Sequence, residues 1–142
     1  MRPFAALRGL LWGAGLALAL AAPMAAAQSV DAVVNADHAA LPLDREDLRA
    51  IFMMRTREWP DGAPIRVFVL PDDFALHDEF VRQHLGTYPY VLRGIWDRLV
   101  FTGSGAAPTV VVNEEEMRRR LRATPGAIGY LDARSPPEGD VP

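Results

Sequence analysis

The sequence of 142 residues contains no cysteine. A disulfide framework, a thiolate nucleophile, a cysteine-based metal site and a cysteine-linked lipid anchor are therefore all excluded. All 15 basic residues are arginine, and a P-loop, which needs a lysine after its glycines, is excluded as well. No serine stands in a G-x-S-x-G motif. We therefore predict a protein that is not an enzyme and that carries no cofactor and no metal.

Apolar runs long enough to cross a bilayer are also missing. The run over residues 10–22 falls short of the ~20 residues that a spanning helix needs. Arg2 and Arg8 precede this run, and an A-x-A site ending at Ala27 follows it. This order predicts a secretory signal peptide over residues 1–27, cut between Ala27 and Gln28. Retention of the segment as a membrane anchor is the alternative.

The charge balance of the exported chain is acidic. Two of the 15 basic residues, Arg2 and Arg8, lie in the predicted signal peptide, and so 13 remain against 18 acidic residues, a net charge of −5. This balance argues against non-specific binding of nucleic acid. Export without disulfides is typical of a bacterial periplasm, and we predict a periplasmic or secreted protein that is not an integral membrane protein after cleavage.

Apolar spacing and turn residues predict strands that alternate with helices. Asp44 is placed to cap a helix with one apolar face at Leu48, Ile51 and Phe52, and Asn113 is placed to begin another with a capping box. Alternating elements of this kind predict an α/β domain with a covered central sheet over residues 28–134, followed by a flexible Pro- and Gly-rich tail over 135–142. Strands are predicted at 31–35, 65–70, 109–112 and 127–131, and further helices at 74–85 and after Tyr88.

Large apolar residues indicate where the core lies. Trp59 and Trp96 are predicted to be core anchors rather than stacking platforms. The helix after Tyr88 has the cleanest amphipathic spacing, and the strand at 109–112 is expected to be buried. The apolar stripe of that helix comprises Val91, Leu92, Ile95, Trp96, Leu99 and Val100.

A loop of small residues follows that helix. Thr102, Gly103, Ser104 and Gly105 form a candidate ligand-binding site, because successive backbone N–H groups in such a loop can make a nest for a small anion. An ordinary connection between a helix and a strand is the alternative, and the base rates of loops favour it.

A cluster of arginines marks the last predicted helix. Arg118, Arg119, Arg120 and Arg122 form a candidate partner-binding surface for an anionic partner. The alternative is a solvated helix face on which these cations pair with the acidic residues 114–116 one turn away.

His77 and His84 lie about 10 Å apart along one predicted helix, too far to share a metal.

Several short motifs follow one another in a fixed order: VVN at 33–35, LRAIF at 48–52, WPDG at 59–62, FTG at 101–103 and TPGAIGY at 124–130. In this order the chain resembles one lobe of the type 2 periplasmic solute-binding proteins, in particular the PstS-like phosphate-binding group of ABC transporters. The resemblance implies a single-lobe α/β fold, with a central mixed sheet flanked by about four helices. It also implies a solute-binding protein of phosphate transport with a PBP domain.

The chain departs from this group in two respects. Members of the group have two lobes that hold the ligand in the cleft between them, whereas this chain has room for one. Their anion site follows the strand equivalent to residues 65–70, where this chain has Asp72 and Asp73, and the usual phosphate site is expected to be absent. The leading hypothesis is an exported, non-enzymatic module that binds a small anion, with phosphate as the default that the resemblance implies, in ABC transport or sensing. The alternative is a periplasmic accessory domain that has lost ligand binding and docks onto a protein partner.

Overall fold

The structure, a computed structural model, describes residues 29–134. The predicted signal peptide, its cleavage site and the tail predicted at 135–142 lie outside the described residues. Within the described part of the chain, no helix is both long enough and apolar enough to cross a membrane.

The described chain alternates strands and helices around one sheet of four strands. The sheet has the order β1-β4-β2-β3; β1 runs antiparallel to β4, and β2 runs parallel to both β4 and β3. Helix α2 continues directly into a π-helical turn, so that the single helix predicted at 74–85 has two parts. The elements are β1 Val30–Val34, α1 Arg45–Phe52, β2 Arg66–Val69, α2 Ala75–Phe80, the π-helical turn Val81–Leu85, α3 Pro89–Phe101, β3 Thr109–Val110, α4 Glu114–Ala123 and β4 Ala127–Asp132.

Capping side chains fix the starts of two helices. Asp44 caps α1 in a reciprocal capping box with Asp47, and the Asn113 side chain accepts from the Glu116 backbone N–H at 2.9 Å. The Glu116 carboxylate accepts from the Val112 N–H at 2.8 Å, one residue before the position that the predicted capping box requires. Both predicted helix starts are confirmed, and the caps satisfy N–H groups that the helices leave unpaired.

The core forms between the sheet and the helices. Trp59 and Trp96 are both buried, as predicted. The Trp96 indole N–H donates to the Phe52 carbonyl at 2.8 Å, and the Trp59 indole N–H donates to the Gly126 carbonyl at 3.0 Å. Each tryptophan therefore ties distant parts of the chain together while its polar atom keeps a partner.

Two predictions about burial are wrong. Only Leu92 and Trp96 of the predicted α3 stripe are buried. The strand predicted at 109–112 is limited to Thr109–Val110, and both of its residues are exposed. Of the four predicted positions, only Val111, one residue beyond the strand, is buried. This strand lies at the edge of the sheet and pairs only with β2, and an edge strand is covered on fewer sides than a central one.

Candidate functional site

Four polar side chains meet beyond the carboxyl end of β2. Asp72 belongs to the loop after β2, His77 to α2, Arg93 to α3 and Tyr130 to β4. We call this group the Asp72 cluster. Its position matters because ligands of open α/β sheets bind outside the carboxyl ends of the strands.

The Tyr130 hydroxyl is the buried end of the cluster. It accepts the Leu70 N–H at 2.8 Å and forms a hydrogen bond with Nδ1 of His77. Burial raises the pKa of Tyr130, and the phenol therefore stays protonated. Its single hydrogen then has Nδ1 of His77 as its acceptor, which leaves the proton of a neutral His77 on Nε2.

The Nε2 atom of His77 faces the carboxylate of Asp72. The two side chains approach to 3.5 Å between Nε2 and Oδ1, and His77 is fully buried. Nε2 makes no hydrogen bond with any described atom, and the charges of Asp72, Arg93 and Asp78 all act on the ring. Burial lowers the pKa of His77, and the Asp72 charge only partly opposes this shift. His77 is therefore a neutral donor directed at Asp72.

Arg93 holds the same carboxylate from the other side. Its Nε donates to Oδ2 of Asp72 and its Nη2 donates to Oδ1, both at 3.0 Å. The guanidinium also lies 5.3 Å from the ring centre of Trp96. The hydrogen bonds from Arg93 lower the pKa of Asp72, and the same pairing raises the pKa of Arg93. Two N–H donors of Arg93 thus hold the carboxylate, while Nε2 of His77 faces it at 3.5 Å without a hydrogen bond. A guanidinium fork of this kind also suits other oxyanions.

The sequence indicated only part of this cluster. Asp72 was identified as a departure from the resembling group, whereas Arg93, His77 and Tyr130 were not assigned to any site. One signal was available, because a tyrosine in a predicted buried strand requires a partner for its hydroxyl. The identity of that partner was hidden by the separation of 53 residues between His77 and Tyr130.

The predicted anion nest follows α3. Thr102, Gly103, Ser104 and Gly105 direct their backbone N–H groups to carbonyl groups in the last turn of that helix. The Ser104 carbonyl accepts from Nη2 of Arg57 at 3.0 Å. An anion bound at this loop would have to replace hydrogen bonds that close the helix. The ligand-binding role of these four residues stays a prediction.

The predicted partner-binding surface lies on α4. Arg119 pairs with Glu115 at 3.2 Å and Arg120 pairs with Glu116 at 3.5 Å. Both pairs span one helical turn, as the alternative interpretation of a solvated face expects. The role of Arg118, Arg119, Arg120 and Arg122 toward a partner stays a prediction.

Among residues 29–134, no group of three or more histidine, aspartate or glutamate side chains is placed to hold a metal ion.

Comparisons with known proteins support the fold and no finer assignment. No family model and no curated protein matches the chain. A solved structure that does match is the crystal structure of an ABC-type phosphate transport receptor from Vibrio cholerae, with a TM-score of 0.50 and 15% sequence identity. The match covers 78% of this chain and 43% of the receptor chain. At this identity the likeness shows the fold alone, and the predicted fold is confirmed: a mixed α/β sheet flanked by helices, as in one lobe of a periplasmic binding protein.

Proposed function

We propose that this protein is an exported, non-catalytic solute-binding module that takes a small oxyanion, with phosphate as the first candidate, in ABC-type transport or in sensing. The single observation that supports it is the guanidinium fork that Arg93 directs at the Asp72 carboxylate, with Nε2 of His77 only 3.5 Å away and without a hydrogen-bond partner, beyond the carboxyl end of β2. The matching structure is a phosphate transport receptor with a similar fold. Phosphate is therefore the first ligand to test.

In the described structure the Asp72 carboxylate takes the place that an external anion would take. Asp72 is 39% exposed and belongs to a loop, and an anion can enter once its side chain leaves Arg93 and turns outward. An entering anion would then receive the two parallel N–H groups of Arg93 and the Nε2–H of His77. The displaced carboxylate would remain nearby and repel the anion by about 1 kcal/mol at 4 Å in water. We therefore expect weak binding.

A second candidate is an accessory domain that docks onto a protein partner and binds no solute. The closed pair between Asp72 and Arg93 favours it, because the pair already satisfies the donors that an anion would need. The chain also spans less than half the length of the matching receptor. Under this hypothesis, Asp72 is a permanent internal substitute for the ligand.

Thermal unfolding with added anions separates the two candidates. The exported protein, Asp72→Ala and the matched control Asp73→Ala are each titrated with phosphate and with sulfate at millimolar concentrations. A ligand that binds only the native state raises the melting temperature. At a ligand concentration of tenfold its Kd, the free energy of unfolding increases by about 1.4 kcal/mol. The proposal expects a rise in the unsubstituted protein, a larger rise in Asp72→Ala and the unsubstituted response in Asp73→Ala.

Each other outcome has its own meaning. A flat response in the unsubstituted protein with a rise in Asp72→Ala supports the docking candidate. Flat responses in both proteins contradict anion binding at the cluster. If the anion still raises the melting temperature of the double variant Asp72→Ala and Arg93→Gln, the anion binds at another site. The loop from Thr102 to Gly105 is then the next place to test.

Export and partner binding need separate experiments. Mass spectrometry of the exported protein is expected to find an N-terminus at Gln28, whereas an intact N-terminus in the membrane fraction would favour the retained anchor. If the α4 surface binds an anionic partner, a double change of Arg119→Gln and Arg120→Gln weakens that binding and leaves the melting temperature nearly unchanged. A large loss of stability would make these arginines structural.

A further inference from the structure

Two adjoining cavities lie on either side of the turn that follows Trp59. The first has a volume of about 410 Å³, and its wall is largely apolar, with Leu41, Ile51, Trp59 and Ile65. The second has a volume of about 260 Å³. Leu41 and Pro60 line both cavities, which therefore form one surface feature that we call the Trp59 groove. The larger cavity falls within the size range of sites for small molecules, which are also mostly apolar.

The ionised side chains along this groove are all acidic. Asp47 and Glu58 line the first cavity, and Asp37 and Asp61 line the second; no arginine lines either one. The Asp47 carboxylate already accepts from the Asp44 N–H, and the Asp61 carboxylate already accepts from the Ala63 N–H. The carboxylates of Glu58 and Asp37 make no hydrogen bond or ion pair with any residue in the described range. Two negative charges are therefore available to a ligand.

His38 lines the second cavity and has a buried nitrogen without a hydrogen-bond partner in the described chain. Its ring stacks on Trp59 with 5.0 Å between ring centres, and its Nε2 lies 2.8 Å from Oδ2 of Asp61. A neutral ring that donates from Nε2 to a carboxylate has a lone pair on Nδ1. That atom is buried and has no hydrogen-bond partner among residues 29–134. Donors are thus what this part of the groove lacks.

We propose that the Trp59 groove binds a small primary amine carried on an apolar body. The apolar wall removes the body from water, and the ammonium group supplies both a positive charge and N–H donors to Glu58 or Asp37. A carboxylic acid of the same shape would meet four like charges instead. This site involves no residue of the Asp72 cluster and does not depend on anion binding there.

A matched series of ligands tests the chemistry. The exported protein is titrated in phosphate-free buffer with 4-phenylbutylamine, 4-phenylbutanol and 5-phenylpentanoate, which share one phenylbutyl body. Binding is followed through the indole N–H signals in two-dimensional NMR spectra. We expect the amine to move the Trp59 signal at the lowest concentration, the alcohol at a higher one and the acid not at all. The signal of Trp96, which lies outside the groove, serves as the internal control.

Charge-neutralising variants test the location. Glu58→Gln and Asp37→Asn are each expected to weaken binding of the amine about two- to fivefold, as for exposed ion pairs, whereas the matched change Glu115→Gln on α4 leaves it unchanged. The proposal is overturned if the alcohol binds as well as the amine. It is also overturned if Glu115→Gln weakens binding as much as Glu58→Gln, or if the amine moves the Trp96 signal and not that of Trp59.

Discussion

The Asp72 cluster and the Trp59 groove use similar residues in opposite ways. Each contains a buried histidine next to an aspartate, at 3.5 Å for His77 and Asp72 and at 2.8 Å for His38 and Asp61. In the cluster, Arg93 balances the carboxylate. Along the groove no arginine is present, and two further carboxylates stay unpaired within the described chain.

Buried, paired groups and exposed, unpaired charges are expected to affect different measurements. A polar group that is buried and paired becomes costly to disturb, because its partner then keeps an unmet hydrogen bond away from water. A charge that is exposed and unpaired contributes little to folding and remains available to a ligand. We therefore expect changes at the buried end of the cluster, at Tyr130 and His77, to act mainly on the free energy of unfolding, whereas Asp72 and Arg93 lie at its exposed end, where an anion would bind. Changes in the groove should act mainly on binding.

The largest expected effect comes from Tyr130→Phe. The change leaves the Leu70 N–H and Nδ1 of His77 buried without a partner, and we expect a loss of about 3 kcal/mol in the free energy of unfolding. Urea denaturation measures this loss. Tyr90→Phe is the control, since Tyr90 is 74% exposed and its change should cost less than ~0.5 kcal/mol. Equal costs for the two changes would contradict the description of a closed cluster.

The next effect is a dependence of stability on pH through His77. Its pKa in the folded protein lies below the ordinary value because of burial. The unfolded chain therefore binds the proton first, and stability falls as the pH drops below about 6.5, by at most ~1.4 kcal/mol per pH unit for one proton. Urea denaturation between pH 7.5 and pH 5 measures this slope.

His77→Gln removes this titration and should flatten the slope, even if the variant is less stable at every pH. Asp72 adds a separate loss under more acidic conditions. Its folded pKa is lowered by Arg93, and its contribution is lost only as the pH falls through that lowered value. A slope that stays unchanged in His77→Gln would show that other groups carry it.

A smaller effect is expected from Arg93→Lys. Lysine keeps the charge but loses the two parallel hydrogen bonds to Asp72. Because both partners are about one-third exposed, solvent screens the pair, and we expect a loss of about 0.5–1 kcal/mol. Arg82→Lys, which alters a more exposed pair with Asp78, is the control and should cost less. Thermal unfolding under identical conditions compares the two, and a larger loss for Arg82→Lys would reverse the ranking.

The smallest effect on stability belongs to the groove. Glu58→Gln and Asp37→Asn are each expected to change the free energy of unfolding by less than ~0.5 kcal/mol, because neither carboxylate has a partner to lose. A loss above 1 kcal/mol in urea denaturation would mean that the groove, like the cluster, contributes to folding.

The sequence predicted what depends on local patterns. The face of Leu48, Ile51 and Phe52 on α1 is buried as expected, because helical spacing and a capping residue are both local signals. The approximate positions of the strands followed from apolar runs between turn residues. The π-helical turn Val81–Leu85 was missed, since its side-chain pattern resembles that of an α-helix.

The cluster needed information that the sequence order does not carry. Arg93 lies 21 residues from Asp72, and Tyr130 lies 60 residues from Leu70. Each side chain by itself has an ordinary explanation, as a surface ion or a core aromatic residue. Only the parallel pairing of β2 with β4 brings the Tyr130 hydroxyl under the loop that contains Asp72.

The place of β4 in the sheet has a consequence for the order of folding. This strand, Ala127–Asp132, is the last strand among residues 29–134, yet it lies between β1 and β2 and joins them. Strand β1 has no other neighbour in the described sheet and must wait for a segment almost one hundred residues later. The domain therefore cannot close before residue 132 is free to pair, and contacts this distant in sequence slow folding. A chain that stays open until β4 has emerged remains extended while most of it is being synthesised.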